Sequence, residues 1–70
     1  MTTTNHRETS YPPGTRFRFV PDGMTFAYKY SVTSHGGTYH HGNVVDAGDS
    51  HEPVGKPVMR RAERCEEVGE

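Results

Sequence analysis

Leucine, isoleucine and tryptophan are absent from this 70-residue chain, which limits the material available for a core. The aromatic side chains that remain are three phenylalanines and four tyrosines, accompanied by valines and three methionines. Aromatic and β-branched side chains pack well on a pleated surface, whereas leucine is the usual filler between helices. The composition therefore predicts a mostly β fold, with an α+β fold as the alternative.

Cysteine pairs and long apolar runs are also missing. Cys65 is the only cysteine, so an intrachain disulfide is impossible and a disulfide-stapled secreted scaffold is excluded. The first ten residues contain no apolar run, and no stretch of about 18 apolar residues occurs, so we expect neither a signal peptide nor a membrane span. We expect a cytoplasmic protein without a membrane partner, and a small gene product of this composition would suit a bacterium or a phage.

Neither sign of charge is in excess, since the formal net charge is −1. A low content of large aliphatic residues indicates disorder only when net charge is high, and the apolar residues here cluster between Tyr11 and Val45. We therefore predict a disordered tail over residues 1–10, a single small β-rich domain over residues 11–68, and a C-terminal end at residues 69–70.

Two segments alternate with a period of two and are separated by the turn sequence "PDG". In "TRFRFV", Phe17 and Phe19 fall on one face and Arg16 and Arg18 on the other. In "MTFAYKYSV", the pattern assigns one face to Met24, Phe26, Tyr28, Tyr30 and Val32, and the opposite face to Thr25, Ala27, Lys29 and Ser31. This pattern predicts a β-hairpin, and "TYHHGNVV" can return as a third strand after the turn "TSHGGT".

The aromatic face of such a sheet needs a cover. Residues 46–56 are rich in Gly, Asp and Pro and read as a loop, so the cover must come from residues 57–68. As a helix this segment would align Val58, Ala62, Cys65 and Val68 on one stripe, and we favour that reading. The alternative is a fourth and a fifth strand that close a small barrel of the SH3-like kind. The predicted architecture is thus an antiparallel meander of three to five strands.

Histidines are frequent in "SHGGTYHHGN", which raises the question of a metal site. Zinc needs three or four convergent ligands, and the candidates are His35, His40, His41 and His51, with Cys65 or Asp46 as further donors. Adjacent residues of a strand point to opposite faces, so His40 and His41 cannot serve the same site. We predict no cofactor, and expect one of these two histidines at the edge of the core. Histidine-mediated metal binding stays a minor alternative.

Catalysis has no recognisable signature in the chain. The chain contains the residue types of a nucleophile, a base and an acid in Cys65, His51 and Asp49. No nucleophile motif surrounds the cysteine, so these residues do not indicate a catalytic site. Glu66 and Glu67 beside the thiol should disfavour its thiolate. We therefore predict that the protein is not an enzyme.

Nucleic-acid binding is the main alternative function. Arg16, Arg18 and Lys29 would share a hairpin face, and small β-barrels bind single strands by combining a basic groove with stacking aromatics. The predicted alternation, however, puts the aromatic residues on the opposite face, and a pI of about 6.5 supplies no general attraction for phosphate.

The favoured hypothesis is a small non-enzymatic protein-interaction module, an adaptor or modulator that docks on a larger bacterial or host protein. The first strand, if it is an edge, could accept a strand of the partner. Homo-oligomerisation would use the same surface. The candidate contact residues are Tyr11, Arg16, Arg18, Lys29, Tyr39 and His40.

Overall fold

The computed structural model describes residues 6–68, with side chains from residue 9 onward. The chain forms strands β1 (His6–Glu8), β2 (Arg16–Phe19), β3 (Met24–Ser34), β4 (Gly37–Asp46), β5 (Pro57–Arg61) and β6 (Cys65–Glu67), with a 3₁₀ helix at Ala62–Arg64 between β5 and β6. The fold is mostly β, as the composition predicts.

The strands form one antiparallel sheet in the order β5-β4-β3-β2-β6, and β1 pairs with the C-terminal part of β3. This arrangement is a small β meander. Within residues 6–68 no pairing joins β5 to β6, so the sheet is open and the SH3-like barrel is not confirmed. No helix in this part of the chain is long and apolar enough to cross a membrane.

The predicted C-terminal helix is wrong, because residues 57–68 form β5, the 3₁₀ helix and β6. Val58 is buried opposite Gly42 of β4, and Pro57 begins an edge strand, a position where a missing N–H costs no ladder bond. Val68, the last member of the expected helical stripe, is 37% exposed. Backbone pairing with β4 and β2, which no local pattern reveals, outweighs the helical spacing.

The segment before β2 also differs from the predicted disordered tail. His6–Glu8 forms β1, which pairs with residues 31–33 of β3. The backbone N–H of Ser10 donates to the hydroxyl of Tyr28 over 3.1 Å, which ties the following residues to the sheet as well. The rest of the predicted tail, residues 1–5, and the C-terminal end, residues 69–70, lie outside the described residues.

The hairpin of β2 and β3 is confirmed. Phe17 lies opposite Phe26, and Phe19 opposite Met24. The N–H of Gly23 donates to the carbonyl of Phe19 over 2.8 Å, and Gly23 adopts a φ of 75°, which glycine tolerates without strain. The expectation that the first strand of this hairpin is an edge is wrong, because β6 pairs with its other side.

The core lies on one face of the sheet, which we call the inner face. Its buried apolar side chains come from four strands and are Phe17, Met24, Phe26, Tyr28, Val44 and Val58. The half-buried Tyr11, Phe19 and Cys65 pack against them. Long aromatic side chains thus supply the volume that aliphatic residues supply in most small domains.

A β-bulge at Lys29 changes the faces of β3. Tyr28 pairs with Gly42 and Tyr30 with His41, so one extra residue stands in β3 between them. The burial pattern shows the consequence: Tyr28 is buried, Lys29 is exposed, Tyr30 is half-buried and Ser31 is 1% exposed. The predicted alternation therefore holds from Met24 to Tyr28 and is reversed beyond the bulge.

The loop between β4 and β5, predicted over residues 46–56, packs on the β2–β3 turn. The N–H of Asp49 donates to the carbonyl of Asp22 over 2.8 Å. Glu52 then ties the loop to β5, since its carboxylate binds Lys56 at 2.7 Å and Arg60 at 3.4 Å. The hydrogen bond from Lys56 is the main reason that the pKa of Glu52 is lowered.

Candidate interaction surface

His40 is a core residue, only 6% exposed. The bulge turns Ser31 inward to face it, and Ser31 Oγ lies 2.9 Å from His40 Nδ1 and 2.7 Å from the hydroxyl of Tyr28. The Ser10 N–H donates to the Tyr28 hydroxyl, so these contacts connect Ser10, Tyr28, Ser31 and His40 in one polar network.

Aromatic rings enclose the imidazole of His40. Its centroid lies 4.6 Å from that of Phe17, 5.3 Å from that of Tyr28 and 5.8 Å from that of Tyr11. Burial is the main cause that lowers the pKa of His40, and the charge of His41 adds to it. The histidine predicted at the edge of the core is thus a buried, hydrogen-bonded part of it.

The other histidines do not converge with His40. His41 lies on the opposite face of β4, as the alternation predicts, while His35 and His51 are exposed. Among the side chains of residues 9–68, no three His, Cys, Asp or Glu residues are grouped in a way that could hold a metal ion.

The thiol of Cys65 is half-buried against the core and donates to the carbonyl of Arg61 over 3.3 Å. Burial raises its pKa to about 11, so the thiolate is disfavoured, as the sequence predicts. Desolvation of the thiol is the main cause of this raised pKa, whereas the sequence points to the charges of the neighbouring Glu66 and Glu67.

The face opposite the core, the outer face, carries a continuous band of half-exposed and exposed side chains. In a first row, Tyr30 of β3 pairs with His41 of β4, which in turn pairs with Met59 of β5. In a second row, Val32 of β3 pairs with Tyr39 of β4, which in turn pairs with Arg61 of β5. We call these residues the outer strip: Tyr30, Val32, Tyr39, His41, Met59 and Arg61.

The two rings in the first row stand side by side. Tyr30 and His41 are stacked, with ring centroids 4.7 Å apart and an interplanar angle of 19°. This separation equals the distance between neighbouring strands, so the two rings face each other across β3 and β4. Met59, which is 48% exposed, extends the row on β5.

The second row is held by Arg61. Its guanidinium lies 5.5 Å from the ring centroid of Tyr39 and donates to the hydroxyl of Tyr39 over 3.1 Å. Glu63 binds the same guanidinium at 3.1 Å. These contacts fix the orientation of the Tyr39 ring.

Basic side chains border the outer strip on the β2 side. The bulge leaves Lys29 exposed beside Tyr30, and Arg16 is exposed opposite Ala27. Neither Arg16 nor Lys29 forms an ion pair with another described residue, whereas Arg18 is paired with Glu66 of β6.

The predicted contact residues separate into two groups. Arg16, Arg18, Lys29 and Tyr39 lie on the outer face, while Tyr11 packs edge-on against Phe17 at 4.9 Å and His40 is buried. The prediction of His40 as a surface contact is therefore not compatible with its position. Sequence reasoning missed the remaining members of the outer strip because strict alternation assigned Tyr30 and Val32 to the core face.

An open cleft of about 510 Å³ lies between the β2–β3 turn and the 3₁₀ helix. Val20, Pro21, Glu63 and Arg64 line it.

No protein-family model, no curated protein and no solved structure matches the chain.

Proposed function

We propose that the chain is a small non-enzymatic protein-interaction module, a cytoplasmic adaptor or modulator of bacterial or phage origin that docks on a larger protein through the outer strip. The observation that carries this proposal is the composition of the strip. Tyrosine, methionine and arginine are residue types enriched at protein interfaces. Here they form one band on the outer face of a sheet whose inner face carries the core.

The edges of the sheet are poor alternatives to its outer face. β1 and β6 have three residues each, and β6 carries two glutamates. β5 begins with Pro57 and ends with two arginines. Short length, proline and charge are the devices that keep edge strands from pairing with other chains. Recognition through side chains of the outer face therefore fits better than addition of a partner strand.

Nucleic-acid binding is the second candidate, and one observation favours it. The bulge turns Tyr30 to the face that carries Arg16 and Lys29, which removes the main argument against stacking. The packing of the rings argues against it. Tyr30 and His41 stack on each other and Arg61 lies over Tyr39, so one face of each of these rings is already in contact within the protein.

Affinity capture tests the proposal. The tagged full chain is used to retain proteins from a lysate of its native host, with and without nuclease, beside variants Met59→Glu and Tyr30→Glu. Val54→Glu is the matched control, because Val54 is an exposed valine on the β4–β5 loop. Amide spectra verify that each variant folds.

We expect one stoichiometric protein that survives nuclease, is retained by Val54→Glu and falls about tenfold with Met59→Glu. Recovery that disappears with nuclease would instead favour the nucleic-acid candidate. Equal recovery by all variants would show that contact is made elsewhere. Light scattering of the isolated chain separates this function from self-assembly, for which a dimer mass is expected without any partner.

A further inference from the structure

We infer that the outer strip receives an acidic segment of the partner protein, whose carboxylates bind Arg16 and Lys29 while adjacent apolar side chains contact Tyr30, His41 and Met59. This inference rests on the proposed function and specifies the chemistry of the docking segment. It is derived from the distribution of ion pairs, from the bulge and from the orientation of the rings.

Four cations of the chain are compensated by carboxylates. Arg18 is paired with Glu66, Arg61 with Glu63, and both Lys56 and Arg60 with Glu52. Arg16, Lys29 and Arg64 form no ion pair among residues 9–68, whose side chains the structure describes, and of these three Arg16 and Lys29 lie beside the outer strip. The positive charge of these two side chains is therefore not compensated within residues 9–68.

The bulge brings charge and apolar surface together. In a β-bulge two residues of one strand stand opposite one residue of the other, and here Lys29 and Tyr30 stand opposite His41. Arg16 faces Ala27, two residues before Lys29, so the two cations lie diagonally across β2 and β3. A carboxylate that approaches them is next to Tyr30.

Small side chains lie beside the two cations. Ala27 pairs with Arg16 on one side and with Asn43 on the other, and the side chains of Ala27 and Asn43 are small. The side chains of Tyr30, His41 and Met59 are longer and extend further from the sheet. The backbone of a bound peptide can therefore lie close to the sheet over Ala27, where its acidic residues meet the cations, while its apolar residues contact Tyr30, His41 and Met59.

The ring geometry favours a peptide over a nucleic acid. Bases bind by stacking on free aromatic faces, yet Tyr30 and His41 already stack on each other and Arg61 already lies over Tyr39. These contacts reduce the ring surface on which a base could stack.

The test uses three probes with the full chain. They are a synthetic glutamate- and leucine-rich peptide, the same peptide with lysine in place of glutamate, and oligothymidylate of comparable length. Chemical shifts of Tyr30, Tyr39 and Met59 report contact with the strip, and titration gives Kd. The variants are Arg16→Glu and Lys29→Glu, with Arg16→Gln and Lys29→Gln as milder changes. Arg64→Glu is the control, since Arg64 is exposed and forms no ion pair among the described residues.

We expect the glutamate peptide to shift the strip resonances and the lysine peptide to leave them unchanged. Charge reversal at Arg16 or Lys29 should weaken binding about tenfold, while Arg64→Glu changes it by less than about twofold. Absence of binding by the glutamate peptide, equal binding of both peptides, tighter binding of oligothymidylate, or an equal loss with Arg64→Glu would each overturn the inference. If captured protein is lost with Met59→Glu but kept with both charge reversals, the proposed function stands and the acidic segment does not.

Discussion

At the scale of single residues, Gly42 shows how the sheet depends on a missing side chain. A Cβ at this position would lie 2.8 Å from Phe26 Cδ2 and 2.8 Å from the carbonyl carbon of Ala27. Gly42 also stands opposite Tyr28 on β3 and Val58 on β5, in the middle of the core face. The absent side chain therefore lets β3 and the ring of Phe26 approach β4.

We expect Gly42→Ala to lower the free energy of unfolding by about 1–3 kcal/mol, because a methyl group is forced into a packed core against backbone atoms. Urea denaturation measures the change. The control is Gly36→Ala, where the nearest atom to an added Cβ is 3.4 Å away, and its effect should stay within about 0.5 kcal/mol. Equal stability of the two variants would contradict the close approach at Gly42.

His40 gives the chain a pH dependence of predictable sign. Its pKa is lowered in the folded state, mainly by burial, so the unfolded chain binds the proton more tightly. Stability from neutral His40 is therefore complete above the ordinary pKa of 6.5 and is lost as the pH falls below it toward the lowered folded value. The charge of His41 beside it lowers the pKa of His40 further.

We expect thermal melts of the wild-type chain to lose Tm between about pH 7 and pH 5, and His40→Phe to lose less over the same range. Phenylalanine keeps the ring packing against Phe17, and Ser31 keeps its hydrogen bond to Tyr28. His35→Gln, a change at an exposed site, should retain the wild-type dependence. A His40→Phe curve parallel to the wild type would contradict the assignment.

At the scale of elements, the bulge in β3 decides what each face of the sheet contains. The sequence predicts the first half of this strand correctly, since Met24, Phe26 and Tyr28 are buried as the alternation requires. Beyond Lys29 the prediction is wrong, because Ser31 is buried and Tyr30 and Val32 are turned outward. A bulge has no strong local signal. It is fixed here by burial of Ser31 against His40, a contact between two strands.

Deletion of Lys29 tests this element directly. Because Lys29 and Tyr30 both point outward, removal of one residue leaves Tyr30 outward and Ser31 inward in a regular strand. We expect the shortened chain to fold with a stability loss of about 1 kcal/mol and to keep the Ser31 and His40 contact, measured by urea denaturation and amide spectra. Insertion of a glutamate after Tyr30 is the contrasting change, since it would turn Ser31 outward and place a carboxylate in the core beside His40, and it should unfold the chain. Equal effects of the two changes would contradict the bulge.

At the scale of the whole molecule, the C-terminal segment connects both ends of the sheet. The chain leaves β5 at one end of the strand order, passes through the 3₁₀ helix and returns as β6 at the other end. Cys65 lies opposite Phe19 in β6 and packs against the core. Its thiol thus reports whether this last strand is in place.

We expect Cys65 to react slowly with a thiol reagent at pH 8. A pKa of about 11 in place of 9.0 lowers the thiolate fraction about a hundredfold. Urea should restore the ordinary rate at the concentration where tyrosine fluorescence reports unfolding. A rate that rises well before the global transition would mean that β6 opens on its own, and a fast rate without urea would contradict its packing.

The sequence by itself determined the fold class, the β2–β3 hairpin with its turn, the loop before β5 and the placement of His40 and His41 on opposite faces. These features follow from composition, from a period of two and from turn chemistry, all of which act between residues close in the chain. The tertiary structure alone decided that residues 57–68 extend the sheet, that β3 is bulged, and that the outer strip lies beside Arg16 and Lys29. Each of these depends on pairing between distant segments, whose energy no local pattern contains.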